Sequence, residues 1–146
     1  MTVIPRKAST VVLMDEDLNI YLTKRPVTMK FFGGYYVFPG GAIEQSDHEI
    51  SSEYMKGNNL NESFEKSHYV AAARELFEEV GILLSDDGST LSNEKIDQYR
   101  QQLKNREISF LQMLKKENIV INLDNLLFFG HRITSKERPI RFDTRF

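Results

Sequence analysis

Residues 67–82, Ser-His-Tyr-Val-Ala-Ala-Ala-Arg-Glu-Leu-Phe-Glu-Glu-Val-Gly-Ile, hold the strongest helical pattern in this chain. At helical spacing Val70, Ala73, Leu76, Phe77 and Val80 gather on one side, which predicts a core-facing helix over 67–80. Glu75, Glu78 and Glu79 fall on the opposite side, at i, i+3 and i+4. Arg74 precedes Glu78 by four residues and can hydrogen-bond and orient it. Ala71 and Ala72 flank the carboxylates with little bulk, leaving room for something to approach.

Three glutamates on one helix face ordinarily read as a solvated acidic surface. Two features count against that here. Like charges at these spacings repel by a few tenths of a kcal/mol per pair. Gly81 also reads as the helix stop, which puts Glu78 and Glu79 in the last turn, where the helix dipole disfavours anions. A bound cation would relieve both penalties, and broken local rules mark functional sites. Hard oxygen ligands without cysteine favour Mg²⁺ or Mn²⁺ over zinc.

Outward from this helix, residues 8–14 are apolar and β-branched, Asp15-Glu16-Asp17 supplies a turn, and Leu18, Ile20 and Leu22 alternate. The pattern predicts a hairpin over 8–24. Tyr35–Phe38 predicts another strand between Gly33-Gly34 and Pro39-Gly40-Gly41. Residues 45–66 are polar and predict an inserted surface loop with one helical turn near Ile50–Met55. Residues 92–117 predict a helical segment, with Ser92 as a cap, a stripe of Ile96, Tyr99 and Leu103, and a short helix around Phe110, Met113 and Leu114. Strands are expected again over 126–133 and 141–146. The order β-β-β-α-α-α-β-β indicates an α+β fold with a mixed sheet.

At 146 residues, 40% hydrophobic and 27% charged, the chain is expected to form one globular domain, 1–146. A net charge of −2 offers nothing to pull it onto nucleic acid or an anionic membrane. The lack of cysteine removes disulfides, thiolate metal sites and cysteine nucleophiles. Neither a signal peptide nor a bilayer-spanning run is visible, so a soluble, cytoplasmic protein is expected.

Arg74-Glu75-Leu76-Phe77-Glu78-Glu79-Val80-Gly81-Ile82 resembles the second half of the Nudix box, G-x5-E-x7-R-E-U-x-E-E-x-G-U with U a bulky aliphatic residue. Phe38-Pro39-Gly40-Gly41 is similar to the strand and turn that lead into it. The box places its glycine and arginine 14 positions apart, whereas Gly41 and Arg74 stand 33 apart, the excess coinciding with the polar insertion. Eight positions before Arg74, where the box has a glutamate, stands Lys66, with Glu65 beside it. An insertion at this place, the ending Arg141-Phe142-Asp143-Thr144, and Leu22-Thr23-Lys24-Arg25 followed by Gly34 are similar to the Nudix 19-type, coenzyme A diphosphatase branch.

That resemblance implies an α/β/α sandwich and Mg²⁺- or Mn²⁺-dependent hydrolysis of a diphosphate bond in a nucleoside diphosphate derivative, coenzyme A among the candidates. It implies Glu75, Glu78, Glu79 and the Gly41 carbonyl as metal ligands, with Glu78 and Glu79 carrying catalysis and Arg74 orienting them. Arg25, Lys30 and Gly40 are the candidate substrate contacts, with Lys24 beside them. A Nudix domain that binds a nucleotide or partner without turnover is the other reading. The family fold implies further strands and a closing helix, so an incomplete C-terminus is expected, with an open edge near Phe146 through which a homodimer could form. Among the remaining candidates, Phe31, Phe32, Tyr35 and Tyr36 could stack a base but more commonly pack a core. His48 and His68 are expected at the surface, and His131 as a hydrogen-bonded structural residue.

Overall fold

The helix predicted over 67–80 forms at those bounds as α1, Ser67–Val80. Gly81 ends it in the left-handed region at φ 84°, donating its N–H to the Phe77 carbonyl. A residue without Cβ takes that φ at little cost. The computed structural model that shows this describes residues 2–146. Val70, Ala73, Leu76 and Phe77 are buried as the stripe predicts, but so is every other residue from Ser67 to Phe77. Ala71 and Ala72 therefore face no open space. They admit the main sheet, which packs across this face of α1.

That sheet has the order β4 (Gly40–Ala42), β1 (Arg6–Thr10), β8 (Phe142–Arg145), β7 (His131–Ile133). β1 runs antiparallel to β4, with Ala8 opposite Ala42, and parallel to β8, with Ala8 opposite Thr144. β7 and β8 are antiparallel. The sheet is thus mixed and the fold α+β, as expected. Two small sheets flank it: β2 (Thr23–Lys24) pairs with β3 (Tyr36–Val37), and β5 (Met55–Lys56) with β6 (Ile121–Asn122).

The helical segment over 92–117 resolves into α2 (Asn93–Lys104) and α3 (Phe110–Glu117). The Ser92 side chain accepts from the Lys95 N–H, and Ser109 caps α3 in the same way. Tyr99, Leu103, Phe110, Met113 and Leu114 meet Val70, Ala73 and Phe77 of α1 in the larger core cluster. No helix among the described residues is long and apolar enough to cross a membrane.

Four local expectations are corrected. The hairpin over 8–24 exists only at its tip, where Met14 bridges Ile20 and the Asp15 carboxylate accepts from the Asp17 and Asn19 N–H groups. β1 instead pairs with β4 and β8, because it lies inside the sheet, while Leu18, Ile20 and Leu22 stay exposed. The polar insertion is no free loop: a 3-10 turn over Gln45–His48 and strand β5 replace the helical turn near 50–55, anchored by buried Ile50. The strand expected over 126–133 begins only at His131, with Leu127 and Phe129 pointing outwards at 86% and 82% exposure. β8 is paired on both sides, so the open edges of the sheet are β4 and β7 rather than the strand that ends near Phe146.

These burial patterns separate two apolar residues of similar sequence context. Ile121→Ala is expected to cost about 2–5 kcal/mol and Leu127→Ala less than about 0.5 kcal/mol, both read from urea midpoints. Equal losses would show that 126–130 packs as the sequence pattern suggested.

Candidate functional site

Arg74 sits inside the protein, its side chain only 3% exposed. Its Nε and Nη2 donate to the two carboxylate oxygens of Asp47 at 2.8 and 3.0 Å, a fork-to-fork pair. Nη1 reaches Glu75 Oε1 at 2.8 Å and Glu78 Oε1 at 3.4 Å, and Nη2 also meets the Ala42 carbonyl at 3.1 Å. One guanidinium thus ties the insertion, β4 and two of the α1 glutamates together.

Asp47 is the site residue that the sequence reading missed. Counted back from Arg74, the glutamate position of the box falls at Lys66; counted forward from Gly41 through five residues, it falls at Asp47. The extra residues of the 45–66 segment come after Asp47, so only the forward count survives them. Glu65 does not substitute: it pairs with Lys7 and accepts from Ser67 Oγ at 3.3 Å.

The Gly40-Gly41 turn is moulded onto the carboxylates. A Cβ on Gly41 would stand 2.1 Å from Glu75 Oε1, and one on Gly40 would stand 2.4 Å from the Ser9 carbonyl oxygen. The Gly40 N–H donates to Glu79 Oε2 at 3.3 Å. Burial pushes the Glu75 and Glu78 carboxyls up, against the pull of Arg74. Glu79 is pushed up to about 7, first by burial and then by the charge of Glu75, with the Gly40 N–H, Arg25 and Lys104 opposing. Burial works against the Arg74 charge too, but Asp47, then Glu75 and Glu78, raise its proton affinity above the ordinary arginine value.

Three carboxylates, Asp47, Glu75 and Glu78, thus meet one buried guanidinium, and a fourth, Glu79, stands beside them at the Gly40 N–H. This surplus of hard, partly desolvated negative oxygen suits a divalent cation such as Mg²⁺. Among the described residues, no three carboxylate or imidazole groups converge as a ready-made cage. Their oxygens are held instead by Arg74 and the Gly40 N–H. The donor chemistry fits a metal; the final ligand geometry would require these oxygens to turn.

The remaining candidates separate. Arg25 lies close enough for its charge to act on Glu79, and its Nε is buried without a hydrogen-bond partner. Lys24 lies over the exposed Tyr36 ring, 5.7 Å from its centroid, and Lys30 is exposed with no bond to the cluster. Phe32, Tyr35 and Tyr36 do not pack a core: they are 43–65% exposed. Among the described residues β2 and β3 pair only with each other, outside the main sheet. His68 is buried rather than at the surface, its Nδ1 3.1 Å from the Ala8 carbonyl, because the first turn of α1 lies against β1. His48 is exposed, and His131 bonds Asp143 at 2.6 Å, a structural contact between β7 and β8. Beside Arg74 and Glu78 opens a cleft of about 600 Å³, whose rim includes Arg6, Glu44 and Arg106.

Residues 4–126 match the NUDIX domain family. The chain is 28% identical over 144 residues to "Putative nudix hydrolase 7" of Caenorhabditis elegans, covering 97% of this chain and 43% of that protein. It is 27% identical over 178 aligned positions to an acyl-coenzyme A diphosphatase, NUDT19, of Xenopus laevis, covering 89% and 46%. The chain therefore spans less than half the length of these curated relatives. A crystal structure of a NUDIX hydrolase from Alicyclobacillus acidocaldarius superposes with a TM-score of 0.82 at 28% identity, over 98% of this chain and 68% of that one.

Two measurements probe the site itself. Asp47→Ala leaves the buried Nε of Arg74 without a partner and removes one bond of Nη2, and is expected to cost about 3 kcal/mol, against about 1 kcal/mol or less for Glu65→Ala. Comparable urea midpoints for the two variants would refute the clasp. For Glu79, folding raises the proton affinity, so its contribution to stability is complete below the ordinary value of 4.5 and lost as the pH rises through about 7. In EDTA, Glu79→Gln is therefore expected to gain on wild type by about 1–2 kcal/mol across that window, solvent screening at this partly open position included. A difference that does not change with pH would rule out the raised carboxyl.

Proposed function

The chain belongs to the Nudix family, and from that premise we propose that it hydrolyses the diphosphate bond of a nucleoside diphosphate linked to a second moiety, with Mg²⁺ or Mn²⁺. The observation that carries this is the Arg74–Asp47 clasp, which gathers Glu75 and Glu78 beside the Gly40-Gly41 turn and Glu79. A cytoplasmic setting suits a chain free of cysteine.

Glu75, Glu78 and Glu79 would hold the metal, with the Gly41 carbonyl as a further oxygen. When bound, the metal supplies charge neutralisation at the diphosphate and acidifies a water molecule. The remaining work falls to the protein. Arg74 orients Glu75 and Glu78 through direct hydrogen bonds, and its charge opposes their protonation. Gly40 donates its N–H to Glu79 and so fixes the approach of the turn to the helix. Arg25, whose charge acts on Glu79, would contact a substrate phosphate. Lys30 does so more remotely, from the exposed chain beyond β2. One moiety of the substrate rests in the cleft beside Glu78, whose volume suits a nucleotide-sized group.

Coenzyme A or an acyl derivative is the favoured substrate class. The support is the similarity to the Xenopus laevis acyl-coenzyme A diphosphatase, together with Leu22-Thr23-Lys24-Arg25 and Phe38-Pro39-Gly40-Gly41. A second reading, a Nudix domain that binds a nucleotide or a partner without turnover, draws on the carboxylates' lack of a ready-made three-ligand cage among the described residues.

Product release from coenzyme A, ADP-ribose and NADH, with and without Mg²⁺, tests the proposal. Mg²⁺-dependent turnover, highest with coenzyme A and lowered about 100-fold or more by Glu78→Gln or Glu79→Gln, is the expected result. Saturable nucleotide binding with no turnover of any of the three would establish the second reading instead.

A further inference from the structure

The last turn of α1 carries Glu78 and Glu79 and no basic residue, although a helix C-terminus favours cations and disfavours anions. The cation comes from another helix. Arg100 of α2 donates from Nε to the Glu78 carbonyl oxygen at 2.8 Å and from Nη2 to the Glu79 carbonyl oxygen at 2.8 Å. Both carbonyls belong to the final turn, where no intrahelical N–H remains to reach them.

The grip is partly enclosed, the Arg100 side chain being 27% exposed. α2 comes this close because Gly81 has no side chain: a Cβ there would stand 3.2 Å from Ile96 Cγ2 and 3.7 Å from Arg100 Cδ. Tyr99 and Leu103, on the same helix, are buried in the core with Phe77 and fix where Arg100 can reach. Asp97 lies 3.9 Å from Arg100 Nη1 but is 80% exposed and adds little to the contact.

We propose that Arg100 is a positioning residue for the site: its two-pronged hydrogen bond fixes the backbone of Glu78 and Glu79, and with it the direction in which their carboxylates point. The proposal rests on the reading of these glutamates as metal ligands. A guanidinium can straddle successive carbonyls because its N–H groups form a rigid plane; an ammonium keeps the charge but not the fork. Geometry and charge also predict opposite effects on metal affinity. A charge placed here repels a divalent cation, so losing charge alone would tighten binding, whereas losing the fork loosens the ligands and weakens it.

The test compares Arg100→Lys, Arg100→Gln and the control Asp97→Asn in the full chain, with folding checked by the melting temperature in EDTA. Mn²⁺ affinity is read from the free-ion electron paramagnetic resonance signal, and amide exchange of residues 67–81 is followed without metal. Both Arg100 variants are expected to bind Mn²⁺ about tenfold more weakly. Both should exchange the last turn of α1 about tenfold faster while its first turn is unchanged, and Asp97→Asn should match wild type. Unchanged exchange in the last turn, or wild-type affinity in Arg100→Lys with tighter binding in Arg100→Gln, overturns the proposal. If Arg100→Gln does not fold, Arg100→Lys alone decides between fork and charge. Wild type that binds no Mn²⁺ overturns the metal reading and this proposal with it; wild type that binds Mn²⁺, with both variants equal to it, overturns this proposal alone.

Discussion

A guanidinium that is almost wholly buried must be met by carboxylates, and the arrangement around Arg74 follows from that requirement. Stripping charges of water costs several kcal/mol per ion, which only close, well-directed partners recover. Asp47 supplies both of its oxygens, Glu75 and Glu78 one each, and Ala42 a carbonyl. These partners lie on the insertion, on α1 and on β4. Their shared cation therefore fixes the distance between the Gly40-Gly41 turn and the glutamate helix. An apolar residue in place of Arg74 alone would leave three partly desolvated carboxylates with no resident countercharge, and so destabilise the fold.

Two excursions of the chain converge on the same helix for complementary reasons. The segment after β4 brings Asp47 to the side chain of Arg74, and α2 brings Arg100 to the carbonyls of Glu78 and Glu79. Neither contact adds an obvious metal ligand. Each fixes something a ligand depends on: the orientation of a carboxylate in one case, the backbone that carries it in the other. A bound cation would thus share the relief of the acidic last turn with Arg74 and Arg100, which already supply part of it.

Where the sequence was legible, the signal was local. α1 was readable to its ends because an apolar stripe, a glycine stop and the arginine–glutamate pattern all lie within sixteen residues. Ser92 announced α2 because a cap bonds an N–H only three residues away, and Phe110, Met113 and Leu114 announced α3 by their spacing. Readings that needed distant partners went astray. The alternation of Leu18, Ile20 and Leu22 looked like a buried face, but β1 had already taken β4 and β8 as neighbours. His68 looked like part of a polar insertion until β1 closed over it. Apolar Leu127 and Phe129 are exposed, which no pattern within their own segment could reveal.

The same division runs through the site. The sequence alone determined that Glu75, Glu78 and Glu79 share one helix face, that Arg74 stands within reach of Glu78, and that a glycine pair precedes them, because spacing along a helix or turn fixes such relations. Only the tertiary structure decided that Asp47, rather than Glu65, meets Arg74. It alone showed that Gly41 lacks a side chain because Glu75 occupies that space, and that Arg100 grips the helix end. Those contacts join residues 21 to 34 positions apart, and the intervening chain had to fold before charge, shape and hydrogen bonding could select among the candidates.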